Sequence, residues 1–252
     1  QAPYLGMEHQ SSVTYGNRFQ NGYLGRDLSN TGWGLKFDFI IVHESGHEWF
    51  ANNITHKDAA DMWIHESFTN YSESLFLDYH FGKAAGQEYV RGTRAAIQNR
   101  APMIARYGVN AGTPGDVYYK GGNLLNMLRT IVNDDEQWRS LLRGMNKEFY
   151  HQTIKSAQLE AYIAEFLKLD LDTFFNQYLR DRRIPTLEYY FKENMLNVRW
   201  INSVSGFRMP VDVQISGKKM RIFPTNSWTR TNQTEGSLTV DPNYYIGVLK
   251  SR

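Results

Sequence analysis

The 252-residue chain contains no cysteine. That absence excludes a disulfide-stapled scaffold, a thiolate zinc site and a cysteine nucleophile. There is also no excess of one charge: 28 Lys+Arg against 26 Asp+Glu leave a formal net charge of +2. Nucleic acid and anionic membrane surfaces are therefore not the expected partners. Long apolar runs are missing as well, and a stretch such as Phe39 to Val42 falls far short of the roughly 20 residues that span a bilayer. No internal repeat or low-complexity tract is found. At roughly 150 residues per domain, the length fits one large or two modest domains. The chain starts at Gln1, with no signal peptide after it, and is expected to be a fragment. The compartment stays open, with a lean to export.

Hydrophobic periodicity divides what is present into two parts. A short strand-like piece around Ser12 to Tyr15 is followed by a Gly-, Asn- and Asp-rich loop up to about Gly34. From there to about Asn133 apolar residues recur at helical spacing: Leu35, Phe39, Val42, Gly46 and Phe50, then Ile64, Phe68, Tyr71 and Leu75, then Leu124, Leu128 and Ile131. Two more helices are expected, one carrying Leu159, Ile163 and Phe166, the other Phe174 and Tyr178 with Asp170 as its N-cap. After Pro185 the period drops to two. Leu196, Val198 and Trp200 alternate with Asn197 and Arg199, and Val211, Val213 and Ile215 alternate with Asp212 and Gln214. The expected organisation is α+β: a mostly helical domain over 1–185 and a small all-β, sandwich-like domain over 186–252.

The chemistry is concentrated in one segment. His43-Glu44-Ser45-Gly46-His47 is an HExxH motif inside a helical pattern. Residues four apart on a helix lie one above the other, so both imidazoles can share a zinc ion, while Glu44, about 100° further round, is placed to act on a water as general base. Such a motif needs a third ligand. Glu66 follows His47 by 19 positions, enough for the first helix to end near Asn52 and Asn53, turn through His56 to Asp61 and return antiparallel. Two histidines, one carboxylate and a water make an open, catalytic zinc site. His65 competes with Glu66, because a one-residue step turns the side chain by about 100° and only one of the two can face the ion. A metzincin needs a third His soon after the motif; Glu48-Trp49-Phe50-Ala51-Asn52-Asn53 stands there instead.

These residues resemble the zinc site of the aminopeptidase N family, thermolysin-like gluzincins that also include leukotriene hydrolase. His43 to Phe50 and the segment Trp63-Ile64-His65-Glu66-Ser67-Phe68-Thr69 carry the likeness. Gly6-Met7-Glu8-His9-Gln10 is similar to the family's GxMEN exopeptidase motif, and Tyr118-Tyr119-Lys120-Gly121 to its YxKG segment. The resemblance implies a thermolysin-like catalytic domain, incomplete at its N-terminus, that binds one Zn²⁺ per chain through His43, His47 and Glu66 and acts on peptides. It implies Glu44 as base, Tyr118 as oxyanion donor ahead of its neighbour Tyr119, and Glu8, with Gly6 and Met7, as the binding site for the substrate's α-ammonium. His9, His65 and Ser67 depart from the family pattern, beside the residues that carry the chemistry. Asn70 and Glu73 are candidates for orienting the two histidines. His56, His80 and His151 are expected on a turn or on helix surfaces, facing solvent.

The leading functional expectation is a zinc aminopeptidase. An endopeptidase or an epoxide hydrolase on the same scaffold, and a non-catalytic binding module, are the alternatives. Against an endopeptidase stands Glu8, which a continuing chain would leave unpaired. Sequons at Asn53, Asn70 and Asn232 are weak signals, since the first two fall in or near the zinc helices.

Overall fold

The computed structural model describes residues 2–109, 111–232 and 236–251; the side chain of Asn232 is not among what is described, so the sequon there lies outside it. The chain is mixed helix and sheet and separates into two compact units, one of residues 1–98 and 103–168 and one of residues 99–102 and 169–252. Among the described residues no helix is long and apolar enough to cross a membrane.

The first unit opens with a minimal hairpin, β1 (Gly6–Met7) paired antiparallel with β2 (Thr14–Tyr15). A loop then leads to α1 (Phe39–Gly46). Asp38 starts this helix as its N-cap, accepting the amides of Ile40 and Ile41. The same carboxylate accepts hydrogen bonds from the Tyr15 hydroxyl and, at 2.8 Å, from Asn17 Nδ2. One side chain thus caps the helix and ties the hairpin to it. The helix ends at Gly46, earlier than the apolar spacing suggests, because the backbone passes from His47 into successive turns before β3 (Ile54–His56).

The long central helix α2 (Trp63–Phe81) is buried on every side in its first turns, with Trp63, Ile64, Phe68 and Tyr71 essentially inaccessible. It packs against α1, α3 (Lys83–Gly92) and α4 (Asp116–Val132). Two further helices, α5 (Asp135–Glu148) and α6 (Ser156–Leu167), pack against each other. α5 buries Trp138, Leu141 and Met145, a three- and four-residue spacing that the sequence reading passed over. Between α5 and α6 runs β4 (Gln152–Ile154), which pairs in parallel with β3 and so fixes the turn between α1 and α2 from a point nearly a hundred residues away.

Where α2, α4 and α5 meet, buried Arg129 bonds Asp78 at 2.7 Å and Asp135 at 2.8 Å, and Lys83 also reaches Asp135. The Arg129 hydrogen bond holds the Asp135 carboxyl down at about 2, against burial that works to raise it. A carboxyl depressed in the folded state stabilises above its unfolded value of 3.8, and that contribution is lost as pH falls towards 2. Asp135→Asn is therefore expected to lower stability by about 1 kcal/mol at neutral pH, a figure discounted for partial exposure. In urea titrations the gap between variant and wild type should close between pH 4 and pH 2; a gap independent of pH would rule out the ion pair as its source.

In the second unit, α7 (Asp172–Arg180) precedes the strands. It is not capped by Asp170: Leu171 holds the N-cap position and makes no side-chain cap bond. From Thr186 onward the described residues form strands alone. β5 (Thr186–Lys192), β6 (Met195–Ile201), β9 (Thr229–Asn232) and β11 (Gly247–Lys250) make a sheet of order β11-β5-β6-β9, in which β11 and β5 run parallel. β7 (Val211–Ile215), β8 (Lys218–Ile222) and β10 (Leu238–Val240) make a second, of order β10-β7-β8. Both hairpins turn through two residues at positive φ, Glu193-Asn194 and Ser216-Gly217, the geometry whose twist matches the flanking strands. Helix thus gives way to strand between Arg180 and Thr186, whereas compactness groups α7 with the strands. Gln177 explains the grouping: its amide donates to the Arg183 carbonyl and accepts from the Val204 amide.

Candidate metal centre and its surroundings

α2 carries an unusual load of buried polar side chains, among them His65, Glu66, Ser67, Thr69, Asn70 and Glu73. Buried polar groups require partners, and these find theirs on several elements, Glu73 on α1, Ser67 on α4 and His65 on β3. His43 Nδ1 donates to Glu73 Oε1 at 2.9 Å, and Glu73 also accepts from Asn70 Nδ2 at 3.1 Å and from the Tyr89 hydroxyl at 2.5 Å. His47 Nδ1 donates to the Phe50 carbonyl at 3.0 Å, with the Thr69 hydroxyl 3.1 Å away. Donation through both Nδ1 atoms assigns the tautomers and leaves both Nε2 lone pairs facing inward.

They face Glu66. Its Oε2 lies 3.4 Å from His43 Nε2 and 3.6 Å from His47 Nε2, and it has no hydrogen-bond partner although it is buried. In a tetrahedron with bonds of 2.0–2.1 Å, the ligand atoms stand about 3.3 Å apart. Two imidazole nitrogens and a carboxylate oxygen at these separations fit a zinc ion. Burial alone would lower the His43 pKa, but the carboxylates of Glu66 and Glu73 push it up to about 10, whereas burial and the neighbouring His43 lower that of His47.

Glu44, one residue along α1, is buried beside this group, with Oε2 unpartnered. Desolvation raises its pKa to about 7; the nearby His43 opposes the rise, and Glu8 and Glu66 add to it. Ligand atoms of Glu8, Glu44 and His47 lie within 4.8 Å of one another, so the hairpin tied to α1 brings the carboxylate of the GMEH segment to the same group of side chains. Gly6 is required there. A Cβ at that position would stand 2.2 Å from Glu44 Oε1, so any side chain would displace that carboxylate. Met7 is exposed on the other side of the strand.

Tyr118, in the first turn of α4, holds its ring tilted against that of His43 with centroids 6.0 Å apart, and interacts with Glu66. Desolvation, Glu66, Glu8 and Glu44 raise its pKa. Tyr119 is turned away, towards Glu73 and Tyr23.

His65 does not join the group. Its ring stacks on that of His56 with centroids 4.1 Å apart, and Nε2 accepts the His56 amide at 3.1 Å. Burial, with His56 and His47 nearby, lowers its pKa to about 3. His56 is accordingly half-buried in β3 and not solvent-facing as expected, whereas His80 and His151 are exposed. His9 bonds Thr14 across the β1–β2 turn and is exposed. Asn70 is buried, so its sequon is no glycan acceptor in this fold, and Asn53 bonds Asn146. Sequence reasoning missed Asp38, Tyr15 and Thr69. Only Thr69, one turn after Glu66 on the same helix face, had a readable signal.

Residues 2–178 match the family model of the peptidase family M1 domain. Among relatives, aminopeptidase N of Lactobacillus helveticus is 25% identical over 207 residues, covering 75% of this chain and 23% of that protein. Aminopeptidase B of Rattus norvegicus is 28% identical over 145 residues, 52% of this chain and 22% of that protein. The chain thus spans less than a quarter of the length of either. Among solved structures, Legionella pneumophila aminopeptidase A in complex with aspartic acid superposes with a TM-score of 0.67 over 90% of this chain and 28% of its own, at 14% identity. An M1 zinc metallopeptidase mutant from Deinococcus radiodurans bound to a Tyr-Ser-Ala substrate gives 0.56 over 73% and 38%, at 19% identity. These likenesses are to the fold. With the family model matched over most of its length, the chain belongs to peptidase family M1, of the aminopeptidase N-type zinc metallopeptidases.

Proposed function

We propose that this chain carries the catalytic centre of a zinc aminopeptidase, with one zinc held by His43, His47 and Glu66. The observation that supports it most is the convergence of two imidazole lone pairs on a buried Glu66 oxygen that has no hydrogen-bond partner, beside Glu44, which has another such oxygen. The proposed organisation is a thermolysin-like domain over 1–185 and a small sandwich-like β domain over 186–252.

When bound, the ion supplies Lewis acidity to a water and to the scissile carbonyl. Glu44 would take a proton from the attacking water as the water oxygen adds to the carbonyl carbon, and would give that proton to the nitrogen that leaves when the C–N bond breaks. Burial and the surrounding carboxylates make it a stronger base than an exposed glutamate. Tyr118 donates its phenolic hydrogen to the carbonyl oxygen as negative charge develops there. Glu8 receives the substrate's α-ammonium and so holds the first peptide bond over the centre, which selects amino-terminal cleavage.

Glu8 distinguishes this reading from an endopeptidase. Glu8→Ala is expected to lower kcat/KM on peptides with a free amino terminus by about 10- to 100-fold, the worth of one charge-assisted hydrogen bond. Any slow cleavage of the N-acetylated twins should be unchanged. Equal losses on both would mean that Glu8 only supports the hairpin.

A further inference from the structure

We infer that Ser67 is a positioning residue, which sets the Tyr118 hydroxyl against the metal centre by fixing where α4 crosses α2. Three observations carry this. Ser67 follows Glu66 on α2, is fully inaccessible, and does not face the metal centre; its hydroxyl donates across to the backbone carbonyl of Val117 at 2.7 Å. Val117 immediately precedes Tyr118 in the first turn of α4. One turn on, Gly121 meets Ser67 so closely that a Cβ there would stand 1.9 Å from the serine Oγ and 2.4 Å from its Cβ.

Ser67 and Gly121 thus mark a close approach of two helices, one carrying Glu66 and the other Tyr118. The next residue of α4, Gly122, packs on Asn70, where a Cβ would lie 2.3 Å from Oδ1. Asn70 in turn bonds Glu73, which holds His43. A hydroxyl hydrogen bond has a narrow distance range, whereas an apolar contact slides freely. Ser67 therefore holds the axial register of the first turn of α4, and with it the reach of Tyr118 to Glu66. A tyrosine that must meet a developing oxyanion tolerates little displacement, since a misplacement of about 1 Å can cost as much as about 100-fold in rate.

The inference rests on the reading of Tyr118 as oxyanion donor, and its test separates the two. Ser67→Ala removes one oxygen, leaves the close packing, and places a good helix former in α2. A single 3-fluorotyrosine at position 118 reports its surroundings by fluorine NMR without any turnover. In Ser67→Ala its resonance is expected to shift and broaden, while zinc content stays that of wild type. In the turnover assay kcat should fall about tenfold with KM within twofold. In a Tyr118→Phe background, Ser67→Ala should have no further effect on kcat. An unchanged fluorine spectrum would overturn the positioning role whether or not the protein is active. So would an equal loss of kcat in the Tyr118→Phe background, which would show that Ser67 acts on something other than Tyr118. A changed spectrum with kcat unaffected by either Tyr118→Phe or Ser67→Ala would keep the helix register and remove Tyr118 from the donor role.

Discussion

Replacing Glu44 with Gln is expected to lower peptide turnover about 10³- to 10⁴-fold while the protein keeps its zinc. Gln matches Glu in shape and removes only the ability to take up a proton, so the change addresses the base and not the packing around Gly6 and Ile40, against which Glu44 sits. The zinc should stay because Glu44 points its unpartnered oxygen beside the donor group formed by His43, His47 and Glu66 and is not itself one of the three. The check pairs kcat with metal content measured by plasma mass spectrometry on the same preparation. A variant that keeps more than a tenth of wild-type turnover would remove Glu44 from the base role. One that loses both zinc and turnover would make it a ligand.

The second large effect concerns the ligands. Glu66→Gln should weaken zinc binding by more than the about 10- to 100-fold typical of losing a group that only orients a ligand. Among the described residues, Glu66 is the carboxylate that forms ion pairs with both Nε2 atoms. Glu73→Gln provides the comparison. Glu73 touches His43 through Nδ1, on the far side of the ring from the centre, so its loss should fall within that smaller range. Competition titrations against a chelator of known affinity give both numbers. If the two variants lose affinity equally, Glu66 has no privileged contact with the ion and the assignment of three ligands fails.

How much of this centre could be read in the sequence depends on how local its determinants are. The spacing of His43 and His47 is a property of a single helix turn, and periodicity was enough to place it. Choosing Glu66 over His65 was not a local question. The structure gives the His65 ring other partners, a stacked ring and an amide donor in β3, and β3 owes its position to a parallel pairing with β4. Such a pairing leaves no trace in periodicity. The hairpin bearing Glu8 is a similar case. Its residues resemble a known motif, but what carries it to the centre is a cap residue, Asp38, that also takes the Tyr15 hydroxyl and the Asn17 amide. Glycine is informative at two close approaches around this centre: Gly6 admits the Glu44 carboxylate, and Gly121 admits Ser67. In the sequence both are seen only as members of a motif.

The β-rich part illustrates the other limit. Alternation was clear in β6 and β7, where Leu196, Val198, Trp200, Val211, Val213 and Ile215 are buried. It was not read in β11, whose residues are mostly exposed and which joins the sheet in parallel beside β5. α7 was legible as a helix, but its attachment through Gln177 to residues 183 and 204 was not, because glutamine at a buried helix position gives no pattern to detect.

The central claim is that a zinc centre and an ammonium site act together on the amino-terminal peptide bond. Its most direct test is mass spectrometry of the products formed when the zinc-loaded protein is incubated with one unblocked peptide and its N-acetylated twin. The account predicts stepwise shortening of the unblocked peptide from its amino end and no cleavage of the twin. Internal cuts in both peptides would contradict it, because they would mean that the carboxylate of Glu8 does not select the substrate's terminus.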